Sequence, residues 1–488
     1  MHLNYLANIG RYIPEIILVI LMVGLILLEV TYKEDEKNRR YIFITSVIGL
    51  VATFVALIVN LGGKSEAIFS NSIVIDGFST LLKMVMVLGT LASIYLSRFS
   101  KDIYDSLKTE FAIMAVGILI GGFLLASANN MLTLYLGIET LSILSYVMAS
   151  LKKNDERSSE AGLKYALYGG ISAGIMLFGM SHIFGVLGTI QFAGIPATMA
   201  NLTTTQLAIL MPSFVLFFAG VGYKVASVPF HMWSPDVYEG SPTPVTTFFA
   251  IVPKLAGIAA LVRVTAIFFS VPSPVRIGWI GLMLVISALT MTVGNVTAIG
   301  QKSVKRMLAY SSISHAGVML ASLVMINEVG VRAVVFYGIT YLFMTVVAFY
   351  ITSIVQDKYG NDNFDRFSGL IYRYPWMAVM MTVAMFSLTG LPPLAGFVAK
   401  YNILTSLVSS KFYTLAVILG LNSVVSAYYY LKIVRLMTLK PAESDEEIEG
   451  FGFLNQMVVV VMTLPIFVLG IFWETIMGLA NGAKLFIQ

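Results

Sequence analysis

The chain contains no cysteine. Disulfides, cysteine-ligated iron–sulfur clusters and thiol catalysis are excluded by that alone. Histidine is nearly as scarce. His2, His182, His231 and His315 are the only four, and they are too scattered for the ligand spacing of a haem or zinc site. No metal or cofactor site is expected in this chain. Charge is scarce too: Asp, Glu, Lys and Arg make up 12% of the 488 residues, against roughly 25% in a soluble domain. An ordinary soluble fold is excluded. What fills the space is apolar, 58% of the residues, gathered in long continuous runs.

A helix of about 20 apolar residues crosses the hydrocarbon core of a bilayer. Fourteen segments of that kind can be drawn, near 12–31, 41–62, 76–98, 110–128, 130–150, 161–188, 205–228, 242–270, 276–299, 305–326, 330–356, 374–408, 412–437 and 454–480. The runs do not alternate polar and apolar residues, so strands are not expected. The first run, Ile13 to Val30, is spanning length and has no small-residue cleavage site after it, so it reads as a span and not as a cleaved signal. The fold class expected is an all-α, polytopic membrane protein with about 14 transmembrane helices.

Lys and Arg in short loops set orientation. Alternate loops hold Lys33, Lys37, Arg39 and Arg40; Arg98, Lys101 and Lys108; Lys152, Lys153, Arg157 and Lys164; Lys302, Lys305 and Arg306; Lys358, Arg366 and Arg373; and Lys432, Arg435 and Lys440. The opposite loops hold Arg11, Lys64, Arg276, Arg332, Lys411 and Lys484, so the split is twenty against six. The rich side is expected in the cytoplasm, with both termini outside. The formal charge of +5 follows from these loops and needs no nucleic-acid partner. An acidic stretch, "ESDEEIEG" at 443–450, falls on the rich side, where Asp and Glu carry little weight.

Five cations remain inside the spans: Lys83, Lys224, Lys254, Arg263 and Lys400. Lys83 and Arg263 lie about two turns from the outer surface, within reach of snorkelling. The other three are deeper. Glu139, in "LTLYLGIETLSILSYV", lies deep within its own span. A charge at the bilayer centre costs roughly 2.5–3.5 kcal/mol and usually faces the bundle interior. A structural ion pair between helices would explain one such pair. Three deep lysines and a deep carboxylate in one chain point instead to proton transfer. Making and breaking a Glu139–Lys224 contact would switch Lys224 between holding and releasing its proton.

Two spans are interrupted. One contains Gly220 and Gly222 and ends at Pro229. The other contains "LTGLPPLAGFVAK", with Gly390, Pro392, Pro393 and Gly396 ahead of Lys400. Interior prolines remove a backbone donor, which a span tolerates only where protein or water meets the freed groups. Gly/Pro-interrupted spans in corresponding places are the mark of inverted-repeat transporters. Spans 4–8 and 9–13 are two runs of five with the broken helix fourth in each and opposite starting sides. Setting "LSYVMASL" at 144–151 against "HAGVMLASL" at 315–323 puts Ser311 opposite Glu139. The division expected is a three-helix segment at 1–109, repeats at 110–270 and 271–440, and a carboxyl-terminal helix at 441–488. His315 lies within span ten as a possible relay, though a hydrogen-bonded interior imidazole fits it equally. His231, just beyond Pro229, suits proton uptake from the cytoplasm. His182 supports no assignment.

Six stretches carry a family resemblance over essentially the whole chain: "PEIILVILMVGLILLEV", "LYLGIETLSILSYVMASL", "EAGLKYALYGG", "GYKVASVPFHMWSPDVYEGSPTPVTTFFAIVPKLA", "SVKRMLAYSSISHAGVML" and "LTGLPPLAGFVAKYNIL". The chain resembles the subunit N family of proton-translocating NADH–quinone oxidoreductases, respiratory complex I. The resemblance implies a redox-driven proton pump subunit without redox chemistry of its own, in which Glu139 pairs with Lys224, Lys254 sits centrally and Lys400 leads outward. It implies partners: other membrane and hydrophilic subunits, with flavin, iron–sulfur clusters and quinone bound by them. The alternatives are the D-type subunit of a multisubunit sodium/proton antiporter on the same fold, and an inert scaffold whose charges only join helices.

Overall fold

In hydrocarbon every backbone polar group must be satisfied within its own segment or by a neighbour, and a continuous apolar run can do that only as a helix. The computed structural model describes residues 9–32, 36–199, 202–325, 327–441, 453–480, 482, 484 and 485. Its main helices are α1 (Ile13–Thr31), α2 (Glu36–Leu61), α3 (Gly77–Phe99), α4 (Lys108–Ser127), α5 (Met131–Ala149), α6 (Glu156–Leu187), α7a (Thr204–Lys224), α7b (Trp233–Gly240) and α8 (Thr243–Phe268). They continue as α9 (Pro274–Ile299), α10 (Val304–Ser322), α11 (Glu328–Tyr359), α12a (Pro375–Thr389), α12b (Ala395–Ser409), α13 (Tyr413–Leu439) and α14 (Phe453–Ile471). Among the described residues, twelve helices are long and apolar enough to cross a membrane, and α12a and α14 are shorter apolar helices. The chain is a helical, polytopic membrane protein. The acidic stretch at 443–450 and His2 lie outside the described residues.

Local chemistry sets the helix ends. Asn130 caps α5 by accepting from the Thr133 amide, and Ser273, Ser303 and Asn327 do the same for α9, α10 and α11, each answering a donor left open in the first turn. Gly188 ends α6 and Gly360 ends α11, at φ +68° and +70°, the left-handed conformation that favours glycine. Burial then sorts the helices. All of the most apolar window of α8 is buried, against 28% for α1 and α2. Helix α8 is thus the hub, packed on α3, α4, α5, α7a, α10 and α11, while α1 and α2 are peripheral.

The loops rich in Lys and Arg gather at one end of the bundle. Asp102, between α3 and α4, pairs with Lys152 of the α5–α6 loop at 2.5 Å. It accepts from the amide and hydroxyl of Thr243 at 2.7 and 3.1 Å and from Gln356 at 3.1 Å, and Lys305 stands 3.9 Å away. Burial pushes the Asp102 carboxyl up, but the Lys305 and Lys152 ammonium groups outweigh it and hold it below the usual carboxylate range. One carboxylate thereby ties together the ends of α3, α8, α10 and α11.

Two expectations need correction. Lys83 and Arg263 do not snorkel. Lys83 is 2% exposed and its Nζ lies 2.5 Å from Glu15 Oε1. Arg263 is fully buried, donates to both Asp76 oxygens at 3.1 Å and also to the Ala126 carbonyl. Depth alone suggested a route to water, whereas a partner on another helix was available inside. The second correction concerns strands. A short antiparallel ribbon, β1 (Glu66–Ile68) with β2 (Ile73–Ile75), sits between α2 and α3. It lies outside the spans, and three residues per strand are too few to show alternation.

Candidate functional site

The interruption of α7 follows from the sequence around it. Helix α7a ends at Lys224, residues 225–232 are unwound, and α7b starts at Trp233. The groups freed by the break find protein partners: Val228 N donates to Thr290 Oγ1 on α9 at 3.0 Å, Ser227 N to the Gly222 carbonyl at 2.9 Å, and Trp233 Nε1 to the Tyr223 carbonyl at 2.9 Å. Helix α7b is held from both sides. Asp236 pairs with Lys164 of α6 at 2.7 Å and with Arg306 of α10 at 3.0 Å, and Arg306 also reaches Glu239.

Lys224 is therefore the last residue before a break, and it is 2% exposed. Its ammonium donates to Tyr165 Oη at 3.3 Å and lies 5.0 Å and 5.7 Å from the ring centres of Tyr165 and Tyr146. Trp233 stacks on Tyr165 with centroids 4.3 Å apart. Cation–π attraction compensates part of the lost hydration. Glu139, on α5, is close enough to interact electrostatically with Lys224. Among the described residues, however, no ion pair within 4 Å joins them, and Glu139 Oε1 is buried without a hydrogen-bond partner. The expected contact is open in this structure. The aromatic walls were not foreseen, because tyrosines on a spanning helix carry no signal that separates them from ordinary packing.

Helix α8 passes next to the break. A Cβ on Gly257 would come within 2.7 Å of Val225 Cγ1 and 3.6 Å of Lys224 Cβ, so the two elements touch about one turn from Lys254. Lys254, 2% exposed, donates to the carbonyl of Ser312 on α10 at 2.7 Å and to its hydroxyl. Tyr238 of α7b and Tyr341 of α11 stand beside the same serine. Their hydroxyls, with Ser234 Oγ and His231 Nδ1, are buried without a hydrogen-bond partner among the described residues. Such groups mark places suited to water.

One turn beyond Ser312, His315 is 3% exposed. Its Nδ1 lies 2.6 Å from Tyr337 Oη and its Nε2 lies 3.1 Å from Tyr430 Oη, and Tyr430 also bonds Ser311. Both Lys254 and Lys400 are near enough to act on His315 electrostatically. His231 is half-buried in the unwound segment, and His182 is exposed, with Nδ1 on the Phe178 carbonyl at 2.9 Å.

The second break lies between Thr389 and Ala395 and contains Pro392 and Pro393, as Pro229 lies in the first. Gly390 takes φ +91°. A Cβ there would sit 3.0 Å from Lys400 Cδ, so conformation and close approach both require glycine. Lys400, 9% exposed, reaches back from α12b and donates to the carbonyls of Leu388 and Thr389 at 2.9 and 2.8 Å. The four groups named from the sequence in the middle of the bundle, Lys224, Lys254, His315 and Lys400, are all buried in its interior. Among the described residues no group of three or more His, Cys, Asp or Glu side chains is arranged to hold a metal ion. What these residues can do is hold and pass protons.

The profile of the NADH:quinone oxidoreductase/Mrp antiporter transmembrane family matches residues 128–426. The chain is 37% identical over 447 residues to the NADH-quinone oxidoreductase subunit N of Trichlorobacter lovleyi, covering 91% of this chain and 90% of that protein. A chain of respiratory complex I from Thermus thermophilus, solved with bound aureothin, superposes with a TM-score of 0.81 at 30% identity, over 95% of this chain and 98% of that one. A chain of the Mrp complex from Dietzia superposes at 0.82 over 97% of each, at 19% identity, a likeness of fold alone.

Proposed function

The chain belongs to the NADH:quinone oxidoreductase/Mrp antiporter family, in its subunit N branch, and from that premise we propose that it is the proton-translocating membrane subunit of a complex I-like NADH–quinone oxidoreductase. The observation that carries this reading is the set of buried lysines, Lys224, Lys254 and Lys400, with buried His315 near the last two. An inert scaffold would gain more from well-packed apolar residues there, since taking charges out of water is costly. In this reading Glu139 sets the charge of Lys224, Lys254 and His315 carry the proton along the bundle, and Lys400 hands it to the outer side. His231 serves uptake at the cytoplasmic side. Electron transfer and quinone binding belong to other subunits, and this chain contributes no redox group. The membrane is the cell's inner or plasma membrane, with both termini outside. The arrangement proposed is 14 spans, with a three-helix segment at 1–109, inverted repeats at 110–270 and 271–440, and a final helix at 441–488.

The test is proton uptake by inverted vesicles carrying the native assembly, driven by NADH and a quinone. Uptake that Lys254→Ala removes, with the subunits still assembled, supports the proposal. Full uptake in that variant sinks it. A sodium/proton antiporter subunit is the other reading. It would show as sodium-dependent proton movement that continues without any electron donor.

A further inference from the structure

We propose that Tyr337 and Tyr430 are positioning residues of the proton relay: they present one nitrogen of His315 to each of two helices and leave its tautomer open. The inference rests on the proton-translocating reading of the chain. His315 sits on α10. Tyr337 comes from α11 and meets Nδ1 at 2.6 Å, and Tyr430 comes from α13 and meets Nε2 at 3.1 Å. All three side chains are buried, so bulk water does not compete for either nitrogen. Neighbouring helices hold the two tyrosines in place. Tyr430 also bonds Ser311, whose chain neighbour Ser312 accepts from Lys254 at 2.7 Å. The Tyr430 ring packs on Tyr429 with centroids 4.4 Å apart, and Tyr429 donates to Asn295 of α9 at 2.8 Å. Helices α9, α11 and α13 thus fix a ring that α10 carries.

What matters is that both partners are hydroxyls. A neutral imidazole carries one N–H and one bare nitrogen. A carbonyl or carboxylate beside the ring only accepts, and it locks the proton on the nitrogen that faces it. A hydroxyl donates or accepts by rotating, so neither tyrosine locks the ring. Either tautomer of His315 is hydrogen-bonded at both nitrogens. A proton taken up at one nitrogen and another released from the other leave the ring neutral, in the opposite tautomer, with the same two partners. No lasting imidazolium is needed near Lys254 and Lys400, which are close enough to act on the ring.

The experiment measures proton uptake by vesicles carrying the native assembly, with assembly, melting and electron transfer measured alongside. Tyr337→Phe and Tyr430→Phe each keep the ring and remove one partner of His315. Each is expected to slow uptake roughly ten- to a hundredfold, the size of effect seen when the hydrogen-bond partner of a working imidazole is removed. A second arm places difluorotyrosine at position 337 or 430. It keeps the hydroxyl and nearly the size, but makes the group a stronger donor and a weaker acceptor, which biases the tautomer. Uptake is expected to slow several-fold while assembly and melting stay unchanged. A bond that only holds helices together would leave the rate as it was, so a wild-type rate with difluorotyrosine at both positions overturns the proposal. Wild-type uptake in both phenylalanine variants overturns it too. If those variants pump normally while Lys254→Ala does not, the proton-translocating reading stands and the role of the tyrosines falls. If Lys254→Ala pumps as well, both fall.

Discussion

Each of the two breaks has a buried lysine beside it, and the two lysines meet different partners. Lys224 is itself the last residue of α7a. Lys400 follows its break and reaches back to the last carbonyls of α12a, those of Leu388 and Thr389. The Lys400 ammonium therefore meets the negative end of α12a, where a cation is favoured, while the Lys224 ammonium turns to Tyr165. Their other partners differ. Lys400 has two short bonds to backbone carbonyls. Lys224 has one long bond to a tyrosine, two ring faces and a carboxylate that stands off. The difference is one of anchoring: two backbone carbonyls hold Lys400, whereas one long side-chain bond holds Lys224.

That contrast can be broken most sharply by truncation. Both Lys224→Ala and Lys400→Ala are expected to cut proton uptake by about a hundredfold, the low end of what a positioned proton-transfer group contributes. Their effects on stability should part. Lys400→Ala leaves two buried carbonyls unpaired at about 1–3 kcal/mol each, whereas Lys224→Ala loses one long bond and two ring contacts. Thermal melting of the purified assembly should fall clearly for the first and little for the second. Equal falls would mean that Lys224 is anchored as well.

The glycine at one break and the alanine at the other give a smaller test. Gly390→Val forces a β-branched residue to φ +91° against Lys400 and should cost about 1–3 kcal/mol. Ala226 already occupies φ +57°, so Ala226→Gly should gain up to about 1 kcal/mol. Melting midpoints moving in opposite directions check this, and a shift of the same sign in both would refute it.

Smaller still is the effect of the tyrosine. Tyr165→Phe keeps the ring under Lys224 and removes its hydroxyl, a change of about 0.5–1.5 kcal/mol. It should slow uptake several-fold without blocking it, measured as initial rate against electron transfer.

The Asp102 cluster, which ties the ends of α3, α8, α10 and α11, has a pH signature. Asp102 is held below its usual value, so its stabilising contribution is complete above about pH 4, the unfolded value. It is lost as pH falls through the lower, folded value. Melting of the assembly between pH 6 and 3 should therefore drop at the acid end, and less steeply in Asp102→Asn.

Much of this was legible in the sequence because a bilayer leaves few choices. A segment drawn at 130–150 is the helix Met131–Ala149, and one drawn at 242–270 is Thr243–Phe268. The breaks were legible because glycine and proline act on their own backbone. Partners from distant helices were not. Glu15 is 68 residues from Lys83 and Asp76 is 187 residues from Arg263, and nothing local marks either pair. Lys400 resting on carbonyls was equally hidden, since every residue has one. Ser311, set opposite Glu139 by the repeat expected from the sequence, bonds Tyr430.

The central claim is that Lys224 works by gaining and losing a proton under the control of Glu139. The most direct measurement compares Glu139→Ala, Glu139→Asp and Lys224→Arg for proton uptake by vesicles holding the native assembly, with assembly and electron transfer measured alongside. Arginine keeps the charge but stays protonated in proteins, so Lys224→Arg should fail as completely as Lys224→Ala. Glu139→Ala should pump poorly and Glu139→Asp should retain part of the rate. If Lys224→Arg pumps at the wild-type rate while Glu139→Ala does not, the two charges only hold helices together and the switch does not exist.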